Sequence, residues 1–420
     1  WDEDIGGLNP YRDRYFREAT SKLALSVYPN GRFIPWMDSH VGRGLPLHYL
    51  ELAAAEGGGL SEDCERFYSV DEDDEDDEGG VDVTLREPVD LPSVLHHASR
   101  KAILRAGPPD DQVALGIDYS PNTGHWHPAP MDLILFAHGH ELAADLGYFG
   151  AMSRLTRNWI TTCAAHNTCI VRAESGEHRF IHEVQGDVHG LVKLGEDVQV
   201  IGIEERDPED LAHLPGDDPV YARIAALIAT DKAHPYVVDF FRVRGGAVHD
   251  YMFHSQGRRC EVSGPQLTAD PDATKGLYQA GGFATPQADD FGSGLIRSLR
   301  TSQTDGPFTV TWRGVPDWAD NGAVDPRVGL RLTMLGHPGT KLLVGIAPGQ
   351  RRMNNADLGE ELHVACVRRQ NSADVDAFLA DDRLRHHLLH ALRPARRHGR
   401  VRLAQLLRSP AGCGRDGPGR

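Results

Sequence analysis

Residues 124–145 read GHWHPAPMDLILFAHGHELAAD. Leu133 to Ala137 is an unbroken apolar run, His138-Gly139-His140-Glu141 interrupts it, and Leu142 to Ala144 resume before Asp145. Each run is too short for a helix, and a glycine with polar neighbours between two such runs is a hairpin signal. The stretch therefore predicts two antiparallel strands, with His138 and His140 as solvated turn residues. At the start of the first strand, alternation puts His125 and His127 on one face and Trp126 opposite. Because a hairpin returns the chain to its origin, Asp145 comes back beside His127.

The same texture extends outward. Short runs rich in Val, Ile, Leu and Phe occur at Ala102–Leu104, Val113–Tyr119, Thr168–Val171, Val198–Ile203, Tyr236–Val243, Phe308–Trp312, Leu330–Leu335 and Lys341–Ala347, punctuated by Gly, Pro, Asp and Asn. With 45 Gly and 26 Pro in 420 residues, an all-helical protein is excluded in favour of a mainly β chain, a large antiparallel β-sandwich. Residues 81–382 are assigned to that domain. Upstream, Phe16, Ala19, Leu23 and Val27 are spaced for one amphipathic helix over 11–28, stopped by Pro29-Asn30-Gly31. A second short helix is expected over Leu45–Ala55. Two helices make no domain alone, so 1–80 reads as the end of a larger helical domain that continues upstream of Trp1. Within it Asp71 to Glu78 are eight consecutive acids, a solvated linker in preference to a Ca²⁺ loop. Residues 383–420, dominated by Arg, His, Leu, Gly and Pro, carry no strand alternation. They read as an irregular or disordered basic tail, or as the product of a shifted reading frame.

A formal charge of −17 argues against nucleic acid as the main partner, since phosphate binding needs an excess of Lys and Arg. It leaves room for an acidic sugar polymer, because a local basic cleft can focus an anion against the global field. No run of 18 apolar residues exists, so no membrane-spanning helix is expected. The six cysteines include no C-x-x-C pair and decide neither redox chemistry nor compartment. Oligomeric state is left open.

Twenty-two histidines make a His-x-His pair cheap, with about one expected by chance, and two occur. His127 and Asp145 at the hairpin's open end, with His166 just before the strand that begins at Thr168, form two imidazoles and a carboxylate. Divalent metals favour such a set, and Zn²⁺ accepts it with a water as fourth ligand. Structural histidines at strand ends are the competing reading.

The segments Gly124-His125-Trp126-His127, Asp132 to Ala137, Asp145-Leu146-Gly147-Tyr148 and Ala165-His166-Asn167-Thr168 resemble the signature of heparinase II/III-type polysaccharide lyases. The resemblance continues through Val243-Arg244-Gly245-Gly246, His249-Asp250-Tyr251, Phe253-His254-Ser255, Thr311-Trp312, Arg331 to Met334 and Val367-Arg368-Arg369, so it spans about 95–370. Tyr28-Pro29-Asn30-Gly31-Arg32 is similar to the segment that follows the family's helical toroid. The resemblance implies an (α/α) toroid before a β-sandwich, β-elimination of an acidic, uronate-containing polysaccharide such as alginate or a glycosaminoglycan, and a periplasmic or secreted location. It assigns His127, Asp145 and His166 to a largely structural Zn²⁺ and His125 to the substrate cleft. The family's base tyrosine has no match here, so the chain as given is expected to be weak or inactive as a lyase, with the base on the upstream helices. The chain also departs from the pattern at Pro128 and Ala129, where an Asp two residues after the second His is common and Asp132 stands displaced. A non-catalytic carbohydrate-binding or cell-surface module of the same fold is the alternative. A cupin-like oxygenase fits less well, because Glu141 lies in the turn, too far from His127.

Overall fold

A computed structural model describes residues 25–36, 68–70, 83–85, 90–120, 127, 129–147, 159–173, 186–193, 197–212, 214, 216, 218–231, 235–269, 294–317, 323–349 and 360–370. Helix 45–55, most of helix 11–28, the acidic run 71–78, His125 and the tail 383–420 lie outside the described residues. The chain is mainly β, and its described strands pair antiparallel. The flanks of the acidic run, β1 (Tyr68–Val70) and β2 (Val83–Leu85), pair with each other.

A five-stranded meander holds β3 (Val94–His96), β4 (Lys101–Ala106), β5 (Val113–Asp118), β6 (Asp132–Ala137) and β7 (His140–Ala143) in sequence order. The expected hairpin is β6–β7. Its turn residues His138 and Gly139 have φ of 53° and 75°, the pair of positive angles that a tight two-residue hairpin loop needs. His138 is exposed, as the turn reading requires.

Three further antiparallel sheets are found among the described residues. One contains β9 (Gly186–Lys193), β10 (Val198–Glu205), β11 (Val220–Ile228) and β12 (Tyr236–Arg244). In a six-stranded sheet, β13 (Val248–Ser255) lies between β8 (Cys169–Arg172) and β20 (Glu361–Gln370), followed outward by β19 (Thr340–Pro348), β16 (Arg297–Thr304) and β15 (Thr268–Ala269). The last joins β14 (Arg259–Ser263), β17 (Phe308–Asp317) and β18 (Ala323–Met334). Side chains from all four sheets meet in one apolar core, including Leu104, Leu115, Leu135, Ile201, Phe241, Tyr251, Trp312 and Val367.

The unbroken run Leu133–Ala137 has a tertiary cause. Leu133, Leu135 and Ala137 face that core, whereas Ile134 and Phe136 face the other way, under Tyr28, Ile34 and Trp36. Tyr28 stacks on Phe136 with ring centroids 4.9 Å apart. Gly116 is required by this packing, since a Cβ there would lie 2.5 Å from Trp36 and 2.6 Å from Ile134. Arg105, 3% exposed, ties the segment down by donating to the carbonyls of Leu25 (2.7 Å), Val27 (2.6 Å) and Pro92 (2.6 Å). This corrects the end of the helix expected over 11–28. Val27 forms an isolated antiparallel bridge with Phe33, and residues 25–28 are not helical. Residues 25–28 instead belong to a loop laid on the five-stranded sheet.

The six-stranded sheet is likewise covered on both faces, by the common core on one side and by Leu146, Trp159, Ile160 and Cys163–Ala165 on the other. On that second face sits a buried charge cluster. Arg172 Nε donates to Asp250 Oδ2 at 2.9 Å, and Arg368 donates to both carboxylate oxygens at 2.6 and 2.7 Å. All three side chains are fully buried.

Candidate metal centre

His127, Asp145 and His166 come from the open end of the β6–β7 hairpin and the approach to β8. His127 precedes β6, Asp145 follows β7 by two residues, and His166 caps a short 3₁₀ turn over Cys163–Ala165. Hairpin pairing thus brings Asp145 back beside His127, and the neighbouring chain contributes the third group. One potential ligand atom from each lies within 4.8 Å of the others. His127 Nδ1 is 3.5 Å from Asp145 Oδ1, His166 Nε2 is 3.7 Å from the same oxygen, and the two imidazole nitrogens are 3.3 Å apart. Ligands held tetrahedrally at the usual Zn–N and Zn–O distances of about 2.0–2.1 Å are separated by roughly 3.3–3.4 Å. The observed triangle matches that size. Exposure is 0%, 2% and 0% for the three residues, so neither charge nor polarity here is relieved by bulk water.

The surroundings aim these donors. His166 Nδ1 lies 2.9 Å from the Thr162 carbonyl, so a proton on Nδ1 leaves the Nε2 lone pair directed at the triangle. The Gly147 amide donates to Asp145 Oδ1 at 2.9 Å. Burial alone would raise the Asp145 carboxyl, but hydrogen bonds and charge from His127 and His166 reverse this and hold it well below the usual range. For His166, burial disfavours the cation, yet Asp145 outweighs it and raises the imidazole. Asp145 is therefore an anion that binds a proton or a cation close by. The donor set, the triangle and the oriented imidazole all fit a divalent ion such as Zn²⁺.

Sequence reasoning missed how this triangle is held. Asn167 donates its amide to Asp132 Oδ1 (2.7 Å) and its side-chain nitrogen to the Leu133 carbonyl (2.9 Å), and its Oδ1 accepts from the His254 amide (2.7 Å). Arg223 binds both oxygens of Asp239 at 2.8 and 2.7 Å and reaches the carbonyls of Met131 and Asn167 with its remaining nitrogen. The arginine thus links the four-stranded sheet to the residues beside His166 and β6. Asp132 was noted as a displaced acid, and burial, opposed by His166 and reinforced by Asp145, pushes it up to about 7. Asn167 was legible in the His-Asn-Thr segment, but Arg223 gave no signal because its partners are distant in sequence.

No protein-family model matches the chain, and no curated protein does. Among solved structures, it is similar to the heparan sulfate lyase HepC from Pedobacter heparinus, with 12% identity and a TM-score of 0.47 over 86% of this chain and 45% of that one. It is also similar to a heparinase III, the BT4657 gene product, with 11% identity and a TM-score of 0.42 over 85% of this chain and 44% of that one. The chain thus spans less than half the length of the structures it matches.

Proposed function

We propose that this chain is the sheet-domain portion of a polysaccharide lyase that cleaves an acidic, uronate-containing polymer by β-elimination outside the cytoplasm, with residues 1–80 closing a helical domain, 81–382 forming the sandwich and 383–420 trailing as a tail. The observation that carries this reading is the convergence of His127, Asp145 and His166, the three residues that the sequence resemblance assigns to one Zn²⁺. A bound ion would supply a cross-link between the β6–β7 hairpin and the approach to β8. That cross-link anchors the end of the segment bearing His125, two residues before His127.

Removing the C5 proton of a uronate builds negative charge on the adjacent carboxylate, so the site must neutralise that group and take up a proton. We assign His125 to the carboxylate side of this chemistry, as a cationic or hydrogen-bonding group that touches substrate. The Zn²⁺ has a structural role in this assignment.

The chain by itself is expected to be weak or inactive, since no base tyrosine is matched in it, so the test is a screen of alginate and glycosaminoglycans for the ultraviolet absorbance of unsaturated uronate products, using a full-length parent that carries the helical domain and the His125→Ala form of that parent. Product from the former and a large loss in the latter are expected. Undiminished elimination by His125→Ala would remove that residue from the mechanism. No product from any polymer, together with retained sugar binding, would favour the non-catalytic carbohydrate-binding module.

A further inference from the structure

Apart from the candidate metal centre, a cleft of about 480 Å³ opens between the five-stranded and four-stranded sheets. It is lined by the β3–β4 turn, the residue after β5, the start of β9 and the residue after β10. Its volume falls in the lower half of the roughly 300–1,000 Å³ typical of small-ligand sites. Asp118 pairs with Asp132 in the β5–β6 register, so the cleft lies at the same end of the sheet as the metal centre.

Tyr119 lines this cleft and is only 3% exposed, and among the described residues its hydroxyl has no hydrogen-bond partner. Buried phenols ordinarily find one. Burial, opposed by Arg100 and reinforced by Asp118, pushes the hydroxyl up to about 12, so it keeps its proton and can donate. Arg100 and Arg206 reach the same cleft from separate sheets. Among the described residues Arg100 lies 3.4 Å from the Gly186 carbonyl and 4.0 Å from Asp187, and Arg206 pairs with Glu204 at 3.7 Å with its side chain 54% exposed. A guanidinium carries five N–H donors in a planar fork suited to carboxylates and sulfates. Leu95 and Val188 add apolar wall. Asp187 also lines the cleft, so its two guanidinium groups and one carboxylate leave a net positive lining on a chain of net charge −17.

We infer that this cleft is a subsite for one anionic sugar residue, with Arg100 and Arg206 holding its carboxylate or sulfate and the Tyr119 hydroxyl donating to a sugar oxygen. The assignment rests on the acidic-polysaccharide reading and adds the place where one unit docks.

The test is nuclear magnetic resonance titration of the chain with glucuronate, N-acetylglucosamine 6-sulfate and glucose, alongside the elimination assay. At least one anionic sugar should bind about tenfold or more tightly than glucose, and the carboxylate and sulfate arms identify which anion is read. Arg100→Gln combined with Arg206→Gln should abolish the preference, and Tyr119→Phe should weaken binding several-fold, both with unchanged zinc content. If Tyr119→Phe melts early, the double arginine variant, altered at the cleft's more accessible groups, decides alone. Equal binding of all three sugars, no binding of any, or a preference that survives the double variant would overturn the subsite. Elimination activity without anion preference sinks this subsite and leaves the lyase reading standing. Anion preference without elimination on any polymer does the reverse.

Discussion

His127 Nδ1 and His166 Nε2 stand 3.3 Å apart, their rings inclined at 55°, although 39 residues separate them in the chain. Two neutral imidazoles with lone pairs directed at each other repel, so this approach needs a proton or a cation between them. Asp145, within 3.7 Å of both, supplies the negative charge that makes either favourable.

The first expectation concerns that cation. Protein isolated without chelator should contain about one zinc per chain, and His127→Ala or Asp145→Ala should abolish it by elemental analysis. Binding at a hundredfold above Kd stabilises by about 2.7 kcal/mol, so chelation should lower the melting temperature by roughly 3–5 °C in a unit of this size. A metal-free isolate whose melting temperature ignores added zinc would sink the assignment.

Asp250 should govern acid stability. Burial alone would raise its carboxyl, but Arg368 and then Arg172 hold it well below the usual carboxylate range. A group with a lowered folded pKa stabilises fully above its unfolded value near 3.9 and loses that contribution as pH falls through the folded value. Asp250→Asn should therefore cost about 3–5 kcal/mol at pH 7, because it leaves two buried guanidinium groups uncompensated. Urea titrations should show the gap from the unaltered protein constant down to about pH 4 and shrinking below it. A pH-independent gap would contradict the triad's ionised state.

Asp132 has the opposite sign. With its folded pKa raised to about 7, the native state binds more protons than the unfolded chain between about pH 4 and 7. Stability of the chelated protein should fall as pH rises through that window and then level off. Asp132→Asn should flatten the profile, which urea midpoints at successive pH values would reveal.

Gly116→Ala probes the docking of residues 25–36. Its Cβ would overlap Trp36 and Ile134, and overpacking of this kind costs about 1–3 kcal/mol. Tryptophan emission should shift to the red, with proteolysis accelerated in the N-terminal segment. Pairing Gly116→Ala with Trp36→Leu should restore part of the loss.

Much of the architecture was legible locally. Strand-length apolar runs, Gly139 in the turn and the return of Asp145 to His127 follow from periodicity and hairpin geometry, which act between near neighbours. The His-x-His pairs were separable on the same grounds, since His138 and His140 flank the Gly139 turn. His166 joined the set by its place just before the Thr168 strand, and the family resemblance then added weight to it among 22 histidines. Tertiary structure alone decided what each strand faces: nothing in Leu133–Ala137 says that Tyr28 and Trp36 will cover its second face, and Val27 carried helical spacing while serving a bridge to Phe33. It alone also decided that Arg172, Arg223 and Arg368 are interior residues. An arginine is stable there only beside its carboxylate, and Arg368 meets Asp250 across 118 residues of chain. Periodicity carries no information about such a partner, because the energy that buries the pair arises only when distant strands close around it.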